Sequence, residues 1–343
     1  MDPMKKKLLL ILILFLAAAS VATGLFARHM ARYAQMPVNP SLDRSVELVI
    51  KPGQSFKDIT AMLREKGLIN HPTKFRILAV YQKATTRIKA GEYRIPGSMS
   101  PGRILRQLGE GRVHLHRVTL PEGLTIHETA QRVADAGLCE KSEFTRAATD
   151  PELARQMGLS AKTTEGYLFP ETYYFEKPVS AETIVQTMVR RFQGVFSDQW
   201  KQRADELGLS VHEIVTLASI IEKETGAPEE RKTVSSVFHN RLERGMRLDS
   251  DPTVIYGIED FDGNLTRKHL RTPTAYNTYK RKGLPQGPIA NPGRASLHAA
   301  LYPADTPYLY FVADSENSHY FSTTLKEHRS EERRVGKECA TGC

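Results

Sequence analysis

The chain has 343 residues, of which 40% are hydrophobic and 25% charged, and a formal net charge of +9. That is enough apolar material for one large or two moderate cores, which excludes a disordered chain. The basic residues are spread along the sequence without an RNA- or DNA-binding motif, so nucleic acid is not expected as a partner, and an anionic envelope polymer or lipid accounts for the sign of the charge.

Lys5, Lys6 and Lys7 precede an uninterrupted apolar run over residues 8–27 that ends at Arg28. As a helix this run spans roughly 30 Å, one bilayer core, and it is long for the apolar part of a signal peptide. Residues 1–28 are therefore expected to be an uncleaved anchor, with the lysines cytoplasmic and the rest of the chain across the membrane. Residues 29–45 carry Pro37 and Pro40 and show no apolar period, and they read as a stalk.

From Val46 the sequence "VELVIKPGQSFKDITAMLREKGL" reads as a strand, a Pro-Gly turn and a helix, and it recurs about seventy residues later as "VTLPEGLTIHETAQRVADAGL". Gly53 aligns with Gly123, Ser55 with Thr125, Asp58 with Glu128 and Gly67 with Gly137. Ser55 and Thr125 are placed to cap the following helices, with an acid in capping-box position, and the later glycines suit the helix exits. All four glycines are expected to serve the backbone rather than a ligand. Between the copies lie a strand around Tyr93, a helix over 101–108 and a strand over 113–120. From about Lys141 the chain turns helix-rich, then returns to short strands at "PYLYFVAD" and "SHYFS". The expected fold class is α+β, with an N-terminal transmembrane helix, an α/β subdomain over 46–120 and a mixed, helix-rich α+β domain over 121–328.

Cys339 and Cys343 lie in "RSEERRVGKECATGC", and residues 329–339 match the translation of a sequencing-adapter sequence. Residues 329–343 are accordingly expected to be a non-native tail that does not pack. With it set aside, Cys139 is the one remaining cysteine, which excludes a disulfide framework and a Cys-based zinc cluster. His239 has no histidine partner at i+4 and reads as a helix-surface residue rather than a metal ligand.

The stretch "SVHEIVTLASIIEKETG" has its own boundaries, an S-x-x-E capping box at Ser210 and Glu213 and a glycine stop at Gly226, so a helix is expected over 211–225. On it Ile214, Leu217 and Ile221 form one apolar stripe, and Val215, Ala218, Glu222 and Thr225 the neighbouring one. Glu222 thus faces the core side, while Lys223 and Glu224 point elsewhere. Burial disfavours an ionised carboxyl and suits it to hold and release a proton, as glycosidase acids do. The competing reading is a helix-end charge paired with Arg231 or Arg241.

The segments "EGYLFPETYYF", "LASIIEKET", "VFHNRL", "LDSDPTVIYG", "YNTY", "GLPQGPIANPG" and "LYFV" occur in one order along the chain. This set resembles the MltG (YceG-like) endolytic murein transglycosylases, and the likeness runs from the anchor to His328. The pattern departs at "SENSHYF", where Gly-rich residues usually precede the histidine.

The resemblance implies a single-pass inner-membrane protein facing the periplasm, a LysM-like glycan-binding subdomain over 46–120, and no metal or organic cofactor. It assigns Glu222 as the catalytic glutamate that cleaves the MurNAc-GlcNAc bond of peptidoglycan to leave 1,6-anhydroMurNAc ends. Termination of nascent glycan chains and contact with peptidoglycan synthases are the implied role and partners. One acid suffices for such chemistry because the substrate's own C6 hydroxyl is the nucleophile. Within the shared motifs, Tyr167, Glu171, Asn240, Asp249, Ser250, Asp251, Thr253, Tyr256, Tyr276, Asn277, Tyr279 and Asn291 are the expected sugar-binding set, through ring stacking and hydrogen bonds. Each also has a structural reading: Asp251 and Asn291 precede prolines as turn residues do, and Tyr256 suits a core. Two alternatives remain open at this stage, an anchored glycan-binding scaffold without turnover and a muramidase that uses water.

Overall fold

Leu48 and Ile50 alternate with Glu47 and Val49, and Tyr93 and Ile95 with Glu92 and Arg94, so that each segment can bury one face as a strand. In the computed structural model, which describes residues 3–42, 44–314 and 318–341, these segments pair antiparallel with Leu48 opposite Tyr93 and Val46 opposite Ile95. The chain divides into two units, Met1–His116 with Glu176–Pro178, and Arg117–Phe175 with Val179–Cys343.

The first unit runs α1 (Pro3–Gln35), β1 (Ser45–Ile50), α2 (Phe56–Glu65), α3 (Pro72–Tyr81), β2 (Gly91–Pro96) and α4 (Pro101–Glu110). Its core gathers Leu48, Leu63, Phe75, Tyr93, Ile104 and Leu105, all fully buried. Within α1 the stretch Lys6–Gln35 is long and apolar enough to cross a membrane; its most apolar window has mean hydropathy 2.7 and buries none of its residues.

The first part of the segment expected as a stalk, residues 29–35, is helical. The helix continues without a break to Gln35, Met30 is buried in the first unit's core, and Tyr33 and Ala34 pack against it. Tyr33 also donates a hydrogen bond to the carbonyl of His71 at 3.2 Å. These side chains fall at i, i+3 and i+4, the spacing of a docked helix face.

β3 (Leu115–Thr119) and β4 (Thr172–Glu176) run across the division, and the second unit further contains α5 (Ile126–Asp135), α6 (Lys141–Ala148), α7 (Pro151–Gln156), α8 (Ala181–Val195), α9 (Asp198–Glu206), α10 (Val211–Glu224), α11 (Arg231–Glu243), α12 (Asp251–Tyr256), α13 (Arg267–Arg271), α14 (Arg294–Leu301), β5 (Tyr310–Ala313), β6 (His319–Ser322) and α15 (Leu325–Thr341). β3 pairs with β4 and β5 with β6, and a single hydrophobic cluster from Val118 to Leu301 fills the unit. The architecture is mixed α+β.

The internal repeat is real at the level of backbone. Ser55 and Thr125 cap ten-residue helices, accepting from the amides of Asp58 and Glu128 at 3.2 Å. Gly53 and Gly123 share φ +78°, and Gly67 and Gly137 take φ +70° and +64° at the helix exits. Left-handed values at turns and helix exits are the ones glycine adopts without strain.

The tail also differs from expectation. α15 carries the chain past His328, and the Arg334 guanidinium stacks 4.3 Å over the Tyr320 ring. Deleting residues 329–343 removes this cation–π contact and should destabilise the second unit by about 1 kcal/mol, visible as a small fall in Tm. At the other end, deleting residues 1–28 should yield a soluble, folded protein, because the apolar window it removes has no packing partner. Deleting 1–35 also takes Met30 out of the first unit's core and should cost a further 2–4 kcal/mol or so in urea unfolding. Equal stability of the two truncations would show that the end of α1 does not contribute to that core.

Candidate active site

The capping box at Ser210 and Glu213 forms as expected, with the Ser210 amide donating to Glu213 at 2.8 Å and the Ser210 hydroxyl accepting from the Glu213 amide at 3.2 Å. α10 ends at Glu224 rather than at residue 225, because Thr225 is extended, with φ −134° and ψ 129°. Its hydroxyl accepts from the Ala227 amide at 3.0 Å, and this side-chain turn, not a left-handed glycine, stops the helix. Instead of two apolar stripes, every residue from Ile214 to Ile221 is buried, since α9, α11, α12 and α14 all pack on α10. Glu222 is the first ionisable residue beyond that run.

The Glu222 side chain is only 7% exposed. Its Oε2 accepts from the Gly293 amide at 2.9 Å, and its Oε1 lies 3.6 Å from Nη2 of Arg231. Gly293 is the N-cap of α14, so the carboxylate sits at the positive end of that helix dipole. Arg231 opens α11, and its buried Nε has no hydrogen-bond partner among the described residues. The adjoining Glu230 receives the His319 amide at 2.9 Å and lies 2.6 Å from its Nδ1. Residues 315–317 of the atypical "SENSHYF" segment lie outside the described residues.

A second carboxylate stands beside this group, one that the spacing of α10 could not reveal. Glu122 lies 3.9 Å from Nη2 of Arg231, and a Cβ added to Gly293 would come within 1.8 Å of its Oε1, so a side chain there would displace the Glu122 carboxyl. Burial and then the charge of Glu222 push the Glu122 carboxyl up from its ordinary value, against the opposing effect of Arg231. Gly123 is more than a turn: its Cβ position is 3.6 Å from Cγ of Glu222. The loop holding Glu122 and Gly123 is bonded to the loop before α14, Gly123 N–H to the Asn291 carbonyl at 2.9 Å and Asn291 N–H to the Leu124 carbonyl at 2.8 Å.

Two further acids are withdrawn from water. Glu165, 4% exposed, receives the Ile126 amide at the start of α5, the Tyr256 hydroxyl at 2.9 Å and the Asn291 amide group at 3.3 Å. Burial nevertheless dominates and pushes its pKa up to about 7. Glu224 accepts from the Ser250 hydroxyl. Burial and the neighbouring Asp251 charge raise it to about 7, opposed by Ser250 and Arg241. Neither acid was singled out by the sequence reading, because each is defined by partners distant in the chain.

The YceG-like family model matches residues 48–334. The chain belongs to the YceG-like family. It is 32% identical to an endolytic murein transglycosylase of Bacillus subtilis (strain 168), over 85% of each chain. An endolytic murein transglycosylase of Streptococcus pneumoniae serotype 2 (strain D39 / NCTC 7466) is 28% identical, the match covering 92% of this chain and 63% of that protein. The crystal structure of a yceG-like protein from Listeria monocytogenes is similar with a TM-score of 0.59 and 36% identity, covering 84% of this chain and 99% of that one.

On this YceG-like scaffold the expected sugar-binding residues fall into separate groups. Tyr167 is buried, with its hydroxyl 2.8 Å from Nδ1 of His212 and its ring edge-on to Phe192. Glu171 forms an ion pair with Arg191, and Asn240 donates to the carbonyls of Thr306 and Tyr308 at 2.8 Å. Ser250 and Thr253 are buried, and Asn277 is too, its amide group donating to the carbonyls of residues 269, 270 and 272. Tyr256 stacks edge-on with Tyr276 at 4.7 Å beside Glu165. Asp249 is exposed, with φ +47°, and Asp251 is exposed and accepts from the Tyr279 hydroxyl at 2.7 Å. Arg241, the other suggested partner of Glu222, is instead buried and bonds the carbonyls of Leu248 and Leu309. His239 is not on the surface as expected: it is partly buried, 2.8 Å from the Ala300 carbonyl, and burial lowers its pKa.

The raised carboxyls carry a pH signature. An acid whose folded pKa is near 7 and whose ordinary value is 4.5 binds more protons in the folded state. The stability it confers is therefore complete below about pH 4.5 and is lost as pH rises through about 7, by up to roughly 3 kcal/mol for Glu165. Urea unfolding of the wild type should show stability falling between pH 5 and 8, and Glu165→Gln and Glu224→Gln should each flatten that slope. Variants with the wild-type slope would show that these carboxyls are not protonated in the fold.

Proposed function

We propose that the protein is a membrane-anchored endolytic lytic transglycosylase that cleaves the MurNAc-GlcNAc bond of peptidoglycan, with Glu222 as the acid and base. The observation that carries the reading is the withdrawn carboxylate of Glu222, held by the Gly293 amide and flanked by Arg231, in a chain whose relatives are named endolytic murein transglycosylases. Glu222 protonates the departing glycosidic oxygen as the C1–O bond breaks. The C6 hydroxyl of the same MurNAc residue then bonds to C1 and gives its proton to the Glu222 carboxylate, which restores the acid and leaves a 1,6-anhydro end. Arg231 and the α14 N-terminus stabilise the carboxylate in its ionised interval. Intramolecular attack supplies the effective concentration that water would lack.

The sugar contacts we assign first to Asp249, Asp251, Tyr276 and Tyr279, which keep solvent-facing surface. Ser250, Thr253, Asn277, Asn291, Tyr167, Tyr256, Asn240 and Glu171 support the walls, since their polar atoms are already bonded within the protein. The β1–α2–α3–β2 order of the first unit supports the LysM-like, glycan-gripping reading. The apolar window of α1 after a lysine cluster supports a single-pass inner-membrane anchor with a periplasmic catalytic unit. That location suits a role in ending nascent strands beside peptidoglycan synthases.

Glu122 favours one alternative specifically. A water-using muramidase needs a second carboxylate, and Glu122 approaches the same arginine as Glu222. Digestion of glycan strands in ¹⁸O-labelled water separates the readings. Transglycosylation gives unlabelled anhydro ends, a muramidase gives labelled reducing ends, and a scaffold gives no new ends. Glu222→Gln should fold normally and lose at least ~10²–10⁴-fold in turnover while still binding strands. Glu122→Gln should retain anhydro products, and its complete loss of activity together with labelled wild-type ends would sink the transglycosylase assignment.

A further inference from the structure

A cavity of about 770 Å³ belongs to the first unit and is lined by α1, α3 and α4. Its α1 wall includes Phe26 in the last turns of the apolar run, and the opposite wall presents Ile77 and Tyr81, which are 40% and 86% exposed. Small residues bring α1 and α4 together: a Cβ on Gly102 would lie 2.8 Å from the Ala34 carbonyl oxygen. On the rim, Arg103 and Arg106 project from the same face of α4, both exposed, and among the described residues neither has an ion-pair partner. The cavity thus joins an apolar wall, reached by the membrane-spanning run, to two exposed cations on α4.

We infer that this cavity binds one anionic glycerophospholipid of the bilayer, its acyl chain against Phe26, Ile77 and Tyr81 and its phosphate on Arg103 and Arg106. The inference rests on the reading of α1 as a membrane anchor, because that reading sets Phe26 at the hydrocarbon boundary and the arginines at headgroup level. A lipid is the occupant with both required parts, an apolar tail for the wall that includes Phe26, Ile77 and Tyr81 and a phosphate for the two arginines. Guanidinium groups match phosphate oxygens in geometry as well as charge, and neither arginine is held in an ion pair among the described residues. Exposed apolar side chains beside unpaired cations are costly in water and favourable at a lipid headgroup.

The test uses the full chain, purified in mild detergent and titrated with phosphatidylglycerol or with phosphatidylcholine of the same acyl chains, with bound lipid counted by native mass spectrometry. One phosphatidylglycerol should be retained in preference to phosphatidylcholine. Arg103→Gln/Arg106→Gln should weaken its retention by about 10–30-fold, and Ala31→Trp, which fills the cavity, should abolish retention of both lipids. Both variants should melt like the wild type, since the substituted side chains are exposed. Equal retention of the two lipids, no effect of the arginine substitutions, or a second protein chain bound in place of lipid would each overturn the inference while leaving the anchor intact. A full chain that stays soluble without detergent would overturn the anchor reading itself, and the lipid site with it.

Discussion

The place of Glu222 depends on the amide of Asn291. This residue is 1% exposed, and its polar groups are committed to the protein. Its Oδ1 accepts from the Leu168 amide at 3.0 Å, and its Nδ2 donates to the Leu124 carbonyl at 2.8 Å and toward Glu165 at 3.3 Å. Its backbone closes the two bonds to the loop of Glu122 and Gly123. Buried main-chain groups must find partners, and here one asparagine side chain serves segments that cannot reach a regular strand. An aspartate of the same shape would lack the donors. With both loops fixed, the Gly293 amide is directed at Glu222 and the Glu122 carboxyl occupies the space that a side chain on Gly293 would need.

The charges at this junction are arranged against their own helices. Glu222 sits in the last turn of α10, the negative end of that dipole, and Arg231 sits in the first turn of α11, the positive end. Neither placement is favourable alone. Each is offset across the gap, where the carboxylates of Glu222 and Glu122 face the guanidinium and the N-terminus of α14 faces Glu222. A stability-optimised chain would exchange the two charges. Local rules broken with compensation from neighbours are characteristic of sites selected for chemistry.

What could be read from the sequence follows from how local each determinant is. The capping boxes, the start of the helix expected over 211–225 and the core-side position of Glu222 are set by residues a few positions apart, and spacing reveals them, though not the helix end at Glu224. The docked end of α1 was equally local, in Met30, Tyr33 and Ala34, but Pro37 and Pro40 drew the reading toward a stalk. The roles of Glu122, Glu165 and Glu224 could not be read, because their partners lie on other elements. The burial of the whole circumference of α10 was hidden for the same reason: periodicity reports the face a helix must bury, not how many neighbours will cover the rest.

The repeated strand–turn–helix makes the same point within one chain. Gly53 and Gly123 adopt the same φ and precede helices capped in the same way. Around Gly53 no atom lies within 4 Å of the Cβ position, whereas at Gly123 the nearest atom is Cγ of Glu222. A substitution with a side chain would strain either turn, because φ is positive in both. Only at Gly123 would it also touch the proposed acid, at van der Waals distance. The motif supplies an identical backbone device twice, and the loop of Asn291 converts one copy into a wall of the site by holding it against α10. Chemistry therefore enters through tertiary juxtaposition, on a local structure that would have formed without it.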